Sequence, residues 1–504
     1  MNISYKINGK KNIDSSSEEN LQKFLRKNGC KSVKLGCSKG FCGNCMILLN
    51  DSPVPSCKIS FASLRDDDEI VTYSHFMKNY PEAKDISRGF EKAGINLCGY
   101  CDAGKFFTAY DLIKHEKPSR EIILNAVRGL NTCCTDDETL CDGILFAYDI
   151  KAARKEKESN SIGRKKTVTL TNESESNETE SNEKNAAVKQ EKNVEPPSPD
   201  ENDGSDEKII FPTSMQKLFS AMEAAEDFSI SAGGTYEAMN DDSVDIQISG
   251  LDFAPPKKAT VISLKKIPEL MAIEKHERYI EIGAAASLNS VMKNQRVPKI
   301  LRDAISEIAS HSMRNVSTIG GNICIPDHRG STWSALLALD AKFEISYPKD
   351  HKEIRKIVKA YEFKNLGRME ILTKIRIPIT NWNFSIYRRL GQSDFLSGKS
   401  AGFSFLAETE REHIYNIRIS FSGNGELSQH DEIFRHNKKS LHKRVKYGFS
   451  SDLIGQKVPL PEKIISTCIT NAGKIFSEKC NRDADPMLEQ QFKTLLRTSL
   501  EMLV

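Results

Sequence analysis

The sequence predicts an α+β, multidomain chain, and three observations carry that expectation. Its 504 residues exceed what a single core usually holds. Short alternating runs typical of strands and longer runs with helical spacing both recur along it, without an internal repeat. A stretch from 155 to 208, rich in Ser, Asn, Glu and Lys, divides two blocks of globular texture. That stretch has too little apolar surface to offset the entropy of ordering, so it reads as a disordered polar linker.

Each element has its own warrant. Residues 3–9 (ISYKING) alternate and end in Asn8-Gly9, a hairpin turn signal. Glu18–Lys27 places Leu21, Phe24 and Leu25 at helical spacing, and Asn28-Gly29 stops the helix. MILLN at 46–50 and IVTYSHF at 70–76 read as strands. From about 81 to 154 Phe106, Phe107, Tyr110 and Leu112–Ile113 recur at helical intervals, as do Ile122, Ile123, Ala126 and Val127, which fits two helical hairpins. Beyond the linker, helices are expected at Met215–Ala225 and Lys299–Ser310, and strands at SISAGG, ATVISL and YIEIGA. A last block has strands such as NIRISFSG and then helices such as PEKIISTCITNAGKIF. The expected boundaries are 1–78, 79–154, 155–208, 209–380 and 381–504.

Composition narrows the function. Lys plus Arg is 72 and Asp plus Glu is 69, a net charge of +3, which argues against a nucleic-acid binder. No apolar run approaches the roughly 18–20 residues of a membrane span. The opening MNISYKINGKK is polar and lacks a secretory signal, so a cytoplasmic location is expected. Ten of the thirteen cysteines lie between Cys30 and Cys141. Such clustering in a non-secreted chain points to metal or redox ligands rather than disulfides.

The first cluster of cysteines is Cys37, Cys42 and Cys45, followed by Cys57. A C-x4-C-x2-C loop is the spacing of a plant-type 2Fe–2S centre. Gly36, Gly40 and Gly43 let the loop turn tightly and aim N–H groups at the sulfurs. A zinc site or free thiols are the alternatives, though zinc more often takes repeated C-x2-C pairs. Cys30 falls outside the spacing and reads as a packed thiol.

KLGCSKGFCGNCMILLNDSPVPSC resembles the ferredoxin-like domain of the molybdenum hydroxylases, the xanthine dehydrogenase family. Its pattern is K-x-G-C-x-x-G-x-C-G-x-C, a strand, and P-V-x-S-C. A second constellation, Cys98-Gly99-Tyr100-Cys101, resembles the family's Q-C-G-F-C-T-P-G, which with N-L-C-R-C-T-G-Y holds a second 2Fe–2S cluster between four helices. The partner motif here is Asn131-Thr132-Cys133-Cys134, without the intervening Arg. Cys133 and Cys134 are the expected ligands, Cys141 could replace one of them, and loss of this cluster is the third possibility.

Two glycine motifs follow. Ser231-Ala232-Gly233-Gly234-Thr235 ends an expected strand, and Thr318-Ile319-Gly320-Gly321-Asn322 follows IASHSMRN. Each could bring backbone N–H groups to a phosphate, although neither is the Rossmann pattern and a plain turn also explains AGGT. Together they resemble A-G-G-T-D-L and R-N-V-A-T-I-G-G-N-I of the same family, which wrap the FAD diphosphate. The family's S-P-I-S-D-L aspartate falls on Ser331, with Asp327 as the nearby alternative, and a family lysine near the isoalloxazine corresponds to Lys399. His311 reads as an ordinary surface or core residue.

The resemblance implies a β-grasp 2Fe–2S domain, a helical 2Fe–2S domain, and an α/β FAD-binding domain of the CO dehydrogenase flavoprotein type with a C-terminal α+β subdomain. It implies FAD and two 2Fe–2S clusters as cofactors and no acid–base catalytic residue on this chain. Because the chain stops at Val504, the expectation is a subunit of a split enzyme. Its partner would be a separate molybdopterin-bearing large subunit, NAD its acceptor, and the assembly a higher-order hetero-oligomer. Aldehyde, nicotinate or CO enzymes of the same family are the alternative, and a non-catalytic scaffold paralogue is another.

Overall fold

A computed structural model describes residues 2–15, 20–38, 40–128, 130, 134–167, 209–235, 260–325, 331–350, 352–390, 401–423, 453–479 and 486–503. The N-terminal hairpin is β1 (Asn2–Ile7) and β2 (Lys10–Ser15), with Ile7 opposite Lys10. Its two-residue turn puts both Asn8 (φ 53) and Gly9 (φ 80) in the left-handed region, which Asn-Gly tolerates best. Helix α1 (Leu21–Lys27) is capped by Asn20, whose side chain accepts the Lys23 N–H at 2.9 Å. Strands β3 (Met46–Leu49) and β4 (Ser52–Pro55) form a second hairpin, and β5 (Asp68–Val71) completes the sheet β2-β1-β5-β3-β4. β5 runs parallel to β1 and antiparallel to β3, and α1 buries Leu21 and Leu25 against the sheet.

The strand expected over 70–76 ends at Val71. Residues from Tyr73 onward form α2 (Tyr73–Asn79). The apolar run is short enough to suit either structure, and long-range packing decides it. Tyr73, Phe76 and Tyr80 lie one helical turn apart and meet Phe106, Phe107 and Tyr110 edge to face.

A helical layer follows: α3 (Pro81–Lys92), α4 (Asp102–Ile113), α5 (Arg120–Val127) and α6 (Asp137–Thr167). α3 and α6 approach closely where Gly89 faces Gly143 and Ala147. The boundary expected after residue 154 falls inside α6, which continues to Thr167. The rest of the expected linker, 168–208, lies outside the described residues.

The next block opens with β6 (Ile209–Ile210), α7 (Met215–Ala224), β7 (Phe228–Ser231) and β8 (Thr260–Ser263). These strands make a small parallel sheet, β6-β8-β7. It is followed by β9 (Ile273–Lys275), β10 (Tyr279–Gly283), α8 (Leu288–Lys293), α9 (Lys299–Ser306), α10 (His311–Val316), α11 (Ile319–Ile323), α12 (Trp333–Ala338), β11 (Lys342–Lys349), β12 (Lys352–Lys359) and β13 (Ile371–Pro378). The strands form the antiparallel sheet β12-β11-β13-β10-β9, covered by the helices over a core centred on Trp333, Phe343 and Ile375. Finally β14 (Phe384–Leu390), β15 (Ala401–Glu410) and β16 (His413–Gly423) make a meander on which α13 (Glu462–Lys479) and α14 (Pro486–Glu501) pack. Among the described residues no helix is long and apolar enough to cross a membrane.

The helix expected over Lys299–Ser310 breaks after Ser306. Ala309 turns left-handed (φ 45), and Ser310 caps the new helix α10. The break is held by Arg314. Its buried guanidinium donates to the carbonyls of Ser306, Ile308 and Ala309 at 3.1, 2.9 and 2.7 Å, where α9 leaves them without helical partners.

Candidate metal centres and phosphate cradle

The first cysteine loop is built by its glycines. A Cβ on Gly36 would lie 2.5 Å from Cys42 Sγ, so the sulfur rests against bare backbone. Gly40 and Gly43 are left-handed, at φ 83 and 72. The N–H groups of Phe41 and Cys42 donate to Cys37 Sγ at 3.3 and 3.4 Å, and that of Cys37 to Cys42 Sγ at 3.4 Å. The four thiols fall into two hydrogen-bonded pairs, Cys37 with Cys42 and Cys45 with Cys57. Sharing a proton with Cys37 and then burial push the Cys42 thiol up; Cys57 is raised in the same way by Cys45, which is lowered in turn. Two thiolate pairs with N–H donors are what a pair of bridged irons requires, since each iron takes two protein sulfurs. The donor set therefore fits a 2Fe–2S cluster. Cys30 packs beside this core, its thiol raised by burial.

The second constellation sits directly against the first. A Cβ on Gly104 would lie 2.9 Å from Gly43 Cα, so the loop and the first turn of α4 touch through two bare backbones. Lys34 also donates to the Gly99 carbonyl. Cys98 is exposed, Cys101 is buried at the start of α4, and Cys134 is half-buried. The buried Lys105 ammonium joins the last two: it donates to Cys134 Sγ at 2.7 Å and also to Cys101. Burial alone would drive an ammonium toward neutrality, but the two thiols outweigh it and raise Lys105. Among the described residues no carboxylate pairs with it. A sulfur-rich site needing negative charge beside a buried cation fits an anionic iron–sulfur cluster. Cys133 lies outside the described residues. Cys141 is in the helical core, its thiol toward the Arg120 carbonyl at 3.9 Å and raised by burial.

The two glycine motifs meet behind β7. A Cβ on Gly233 would lie 2.7 Å from the Val316 carbonyl oxygen, and Ser317 Oγ donates to Thr235 Oγ1 at 3.1 Å. Between them lies a cleft of about 310 Å³, lined by Ala232–Thr235 and by Thr318, Gly320, Gly321 and Asn322. Their backbones differ. Among the described residues, nothing accepts from the N–H groups of Ala232–Thr235. Those of Ile319 and Gly320 go to the Ala286 and Ala284 carbonyls, that of Gly321 to Thr318 Oγ1, and that of Asn322 to the Thr318 carbonyl. Among the described residues, then, only the first motif has N–H groups without an acceptor, while the second lines the cleft with donors already spent. The Ile319 side chain is in the core, and Asn322 Oδ1 accepts from Thr332 Oγ1 at 2.7 Å. Ser231 ends β7. The Ser331 carbonyl accepts from the Tyr387 hydroxyl at 3.1 Å. Asp327 and Lys399 lie outside the described residues. An open donor set beside a glycine wall fits a diphosphate group.

Helix α10 ties these sites together. Met313 lies against Gly40 of the first loop, and Asn315 donates to the Pro53 carbonyl at 2.7 Å. Arg314 reaches the Asn125 carbonyl of α5 at 2.9 Å, and burial lowers its guanidinium to about 10. His311, expected to be an ordinary residue, is buried and bonds Asp111 of α4 through Nε2 at 2.7 Å. Lys293 reaches the same carboxylate at 3.0 Å. Arg314 and Asn315 lie just before the Thr318–Asn322 motif in sequence, and their side chains fasten the glycine-motif block to α5 and β4. Sequence reasoning missed Lys105 altogether. The one signal was a lysine at the start of α4, just before Phe106 and Phe107, where the dipole disfavours a cation.

A family model described as the FAD binding domain in molybdopterin dehydrogenase matches residues 205–380. The nicotinate dehydrogenase small FeS subunit of Eubacterium barkeri is 34% identical over 151 residues, 29% of this chain and 94% of that relative. Abscisic-aldehyde oxidase of Arabidopsis thaliana is 26% identical over 428 residues, 75% of this chain but 30% of the relative, so the chain spans under a third of that protein's length. A solved carbon monoxide dehydrogenase from Hydrogenophaga pseudoflava superposes with a TM-score of 0.45 at 18% identity, over 59% of this chain and 95% of that one. Covering 94% of an iron–sulfur subunit at 34% identity, and matching the flavin-domain model over residues 205–380, the chain belongs to the molybdenum hydroxylase family.

Proposed function

We propose that this chain is the electron-transfer half of a xanthine dehydrogenase-like molybdenum hydroxylase. It would receive electrons from a separate molybdopterin subunit and deliver them to NAD. The observation that carries the reading is the contiguity of the sites: Gly43 touches Gly104 between the two cysteine constellations, and Met313 links the first loop to the helix before the glycine wall. When bound, the clusters would pass single electrons and FAD would collect two and release them as hydride. Cys37, Cys42, Cys45 and Cys57 would hold the first cluster. Cys98, Cys101, Cys133 and Cys134 would hold the second, with Cys141 kept for packing. Ser231–Thr235 would donate to the FAD diphosphate, Thr318–Asn322 would shape the opposite wall, and Lys399 would approach the flavin ring. The four units expected from the sequence, 1–78, 79–154, 209–380 and 381–504, would then be two cluster domains, a flavin domain and its C-terminal subdomain.

A second reading keeps the electron-transfer role and changes the substrate to an aldehyde, nicotinate or carbon monoxide. Its support is the range of the relatives' names, which include a nicotinate dehydrogenase and an aldehyde oxidase. The test is anaerobic reduction of the natively purified complex by each substrate, followed by NAD. Bleaching of the visible absorbance by xanthine and its recovery with NAD support the first reading. Bleaching by another substrate alone selects the second, and bleaching by none of them, with dithionite effective, contradicts both.

A further inference from the structure

We propose that Lys105 is a positioning residue for the second iron–sulfur cluster, holding a fixed positive charge against its ligand sulfurs and so favouring the reduced cluster. The inference rests on the electron-transfer reading above and deepens it. Three observations support it. The side chain is 1% exposed, and its ammonium lies 2.7 Å from Cys134 Sγ while also bonding Cys101. A buried ammonium is costly unless an anion faces it, and the groups facing it are thiols of two different segments. Its place on the fold is also unfavourable locally. It stands in the first turn of α4, where the helix dipole repels a cation. A residue that violates a local rule inside a rigid core points to a role at the site it faces.

The position is fixed by its neighbours. Gly104, one residue earlier, is pinned against Gly43, and Phe106 and Phe107 are fully buried on the following side. The ammonium therefore cannot swing to solvent without unpacking α4. A one-electron reduction adds a negative charge spread over the cluster and its thiolates, and a nearby cation stabilises that added charge. At the first site the N–H groups of Phe41, Cys42 and Cys37 donate to the sulfurs of Cys37 and Cys42, and the buried Lys58 acts on Cys57 through space. The Lys105 charge would thus raise the potential of the second centre, making it a better acceptor than its own ligands dictate.

The test uses the full chain with its clusters in place. Iron analysis comes first. About two irons per wild-type chain, with the second-centre signal absent, would overturn the electron-transfer reading itself, before any variant is made. With both centres present, Lys105→Met and Lys105→Arg are compared by redox titration followed by electron paramagnetic resonance. At the wild-type midpoint of the second centre, Lys105→Met is expected to lower its reduced-to-oxidised ratio about tenfold or more, which is about 59 mV for one electron. Lys105→Arg is expected to restore most of it, and the first centre is expected not to move. An unchanged second midpoint in Lys105→Met overturns the proposal, as does an equal shift in both centres. Should Lys105→Met fail to assemble, wild type labelled with ¹⁵N at the lysine side chain decides. A nitrogen coupling to the reduced second centre, lost in Lys105→Arg, supports the proposal, and its absence in wild type overturns it.

Discussion

At the first cysteine site backbone N–H groups of one glycine-lined loop donate to the Cys37 and Cys42 sulfurs, with Lys58 acting on Cys57 through space; at the second, a buried lysine from a helix bonds Cys134 and Cys101 directly. The first site is therefore made by a contiguous run of sequence, and its thiols pair within it, with Cys57 brought in by the β4 hairpin. The second needs α4 and the segment before α6 to meet, so it depends on tertiary packing for its geometry and on a charged side chain for its electrostatics. A local site tolerates changes elsewhere in the protein. A site assembled from separate helices responds to whatever moves them.

The largest effect should come from breaking the local site. Cys45→Ser is expected to remove about two irons per chain while the second centre's resonance survives, read by iron analysis and low-temperature spectra. Loss of both signals would mean that the sites fold as one. Next is the clasp between the blocks. Arg314→Met leaves the carbonyls of Ser306, Ile308, Ala309 and Asn125 without their shared donor, and should cost about 3 kcal/mol or more of stability by thermal or denaturant unfolding. The second site, which Arg314 reaches through α5, should suffer more than the first. Gly104→Ala forces a Cβ onto Gly43 and should cost about 1–3 kcal/mol, shifting the spectra of both centres because it stands between them.

A smaller effect is pH-dependent and lies in the Asp111–His311 contact. Burial lowers the His311 pKa despite Asp111 beside it, and the positive charges of Arg314 and Lys293 push the same way. Asp111 is held below the usual carboxylate range: burial opposes ionisation, but His311, Lys293 and Lys114 outweigh it. Both groups bind protons less readily folded than unfolded, so both stabilise the fold more as pH rises. His311's share should be present above its unfolded pKa of about 6.5 and be lost as pH falls below that value, and Asp111's should be lost below about 3.9. The melting temperature of wild type should fall from pH 7 to 5, and His311→Asn should flatten that slope; an equal slope in the variant would contradict the assignment. Smallest is Cys141→Ser. It should leave the iron content of both sites intact and cost on the order of 1 kcal/mol, since the hydroxyl keeps the Arg120 carbonyl as acceptor.

How far the sequence could be read follows the same division. The hairpin at Asn8-Gly9, the cysteine loop and the strand at Met46–Leu49 depend on neighbours in sequence, and the structure places them as expected. The strand expected over 70–76 gives way to a helix from Tyr73, because the aromatic contacts with α4 need Tyr73 and Phe76 on one helical face. The break between α9 and α10 needed the Arg314 side chain to return to its own helix end, which no local pattern announces. The unequal glycine motifs were invisible for a related reason. Among the described residues nothing accepts from the Gly233 and Gly234 N–H groups, whereas Gly320 donates to the Ala284 carbonyl from another turn and Gly321 to Thr318 Oγ1. Lys105 was legible only as a lysine in an odd place.

The central claim is that both cysteine sites carry iron and that the glycine cleft carries flavin in one chain. Iron, acid-labile sulfide and flavin per chain, measured on the purified protein with its visible spectrum, test it most directly. The expected result is about four irons, about four sulfides and about one FAD per chain. Little iron and no flavin, even after co-expression with a molybdopterin-bearing partner, would contradict the account and leave a scaffold that has kept the shape of an electron-transfer protein without its chemistry.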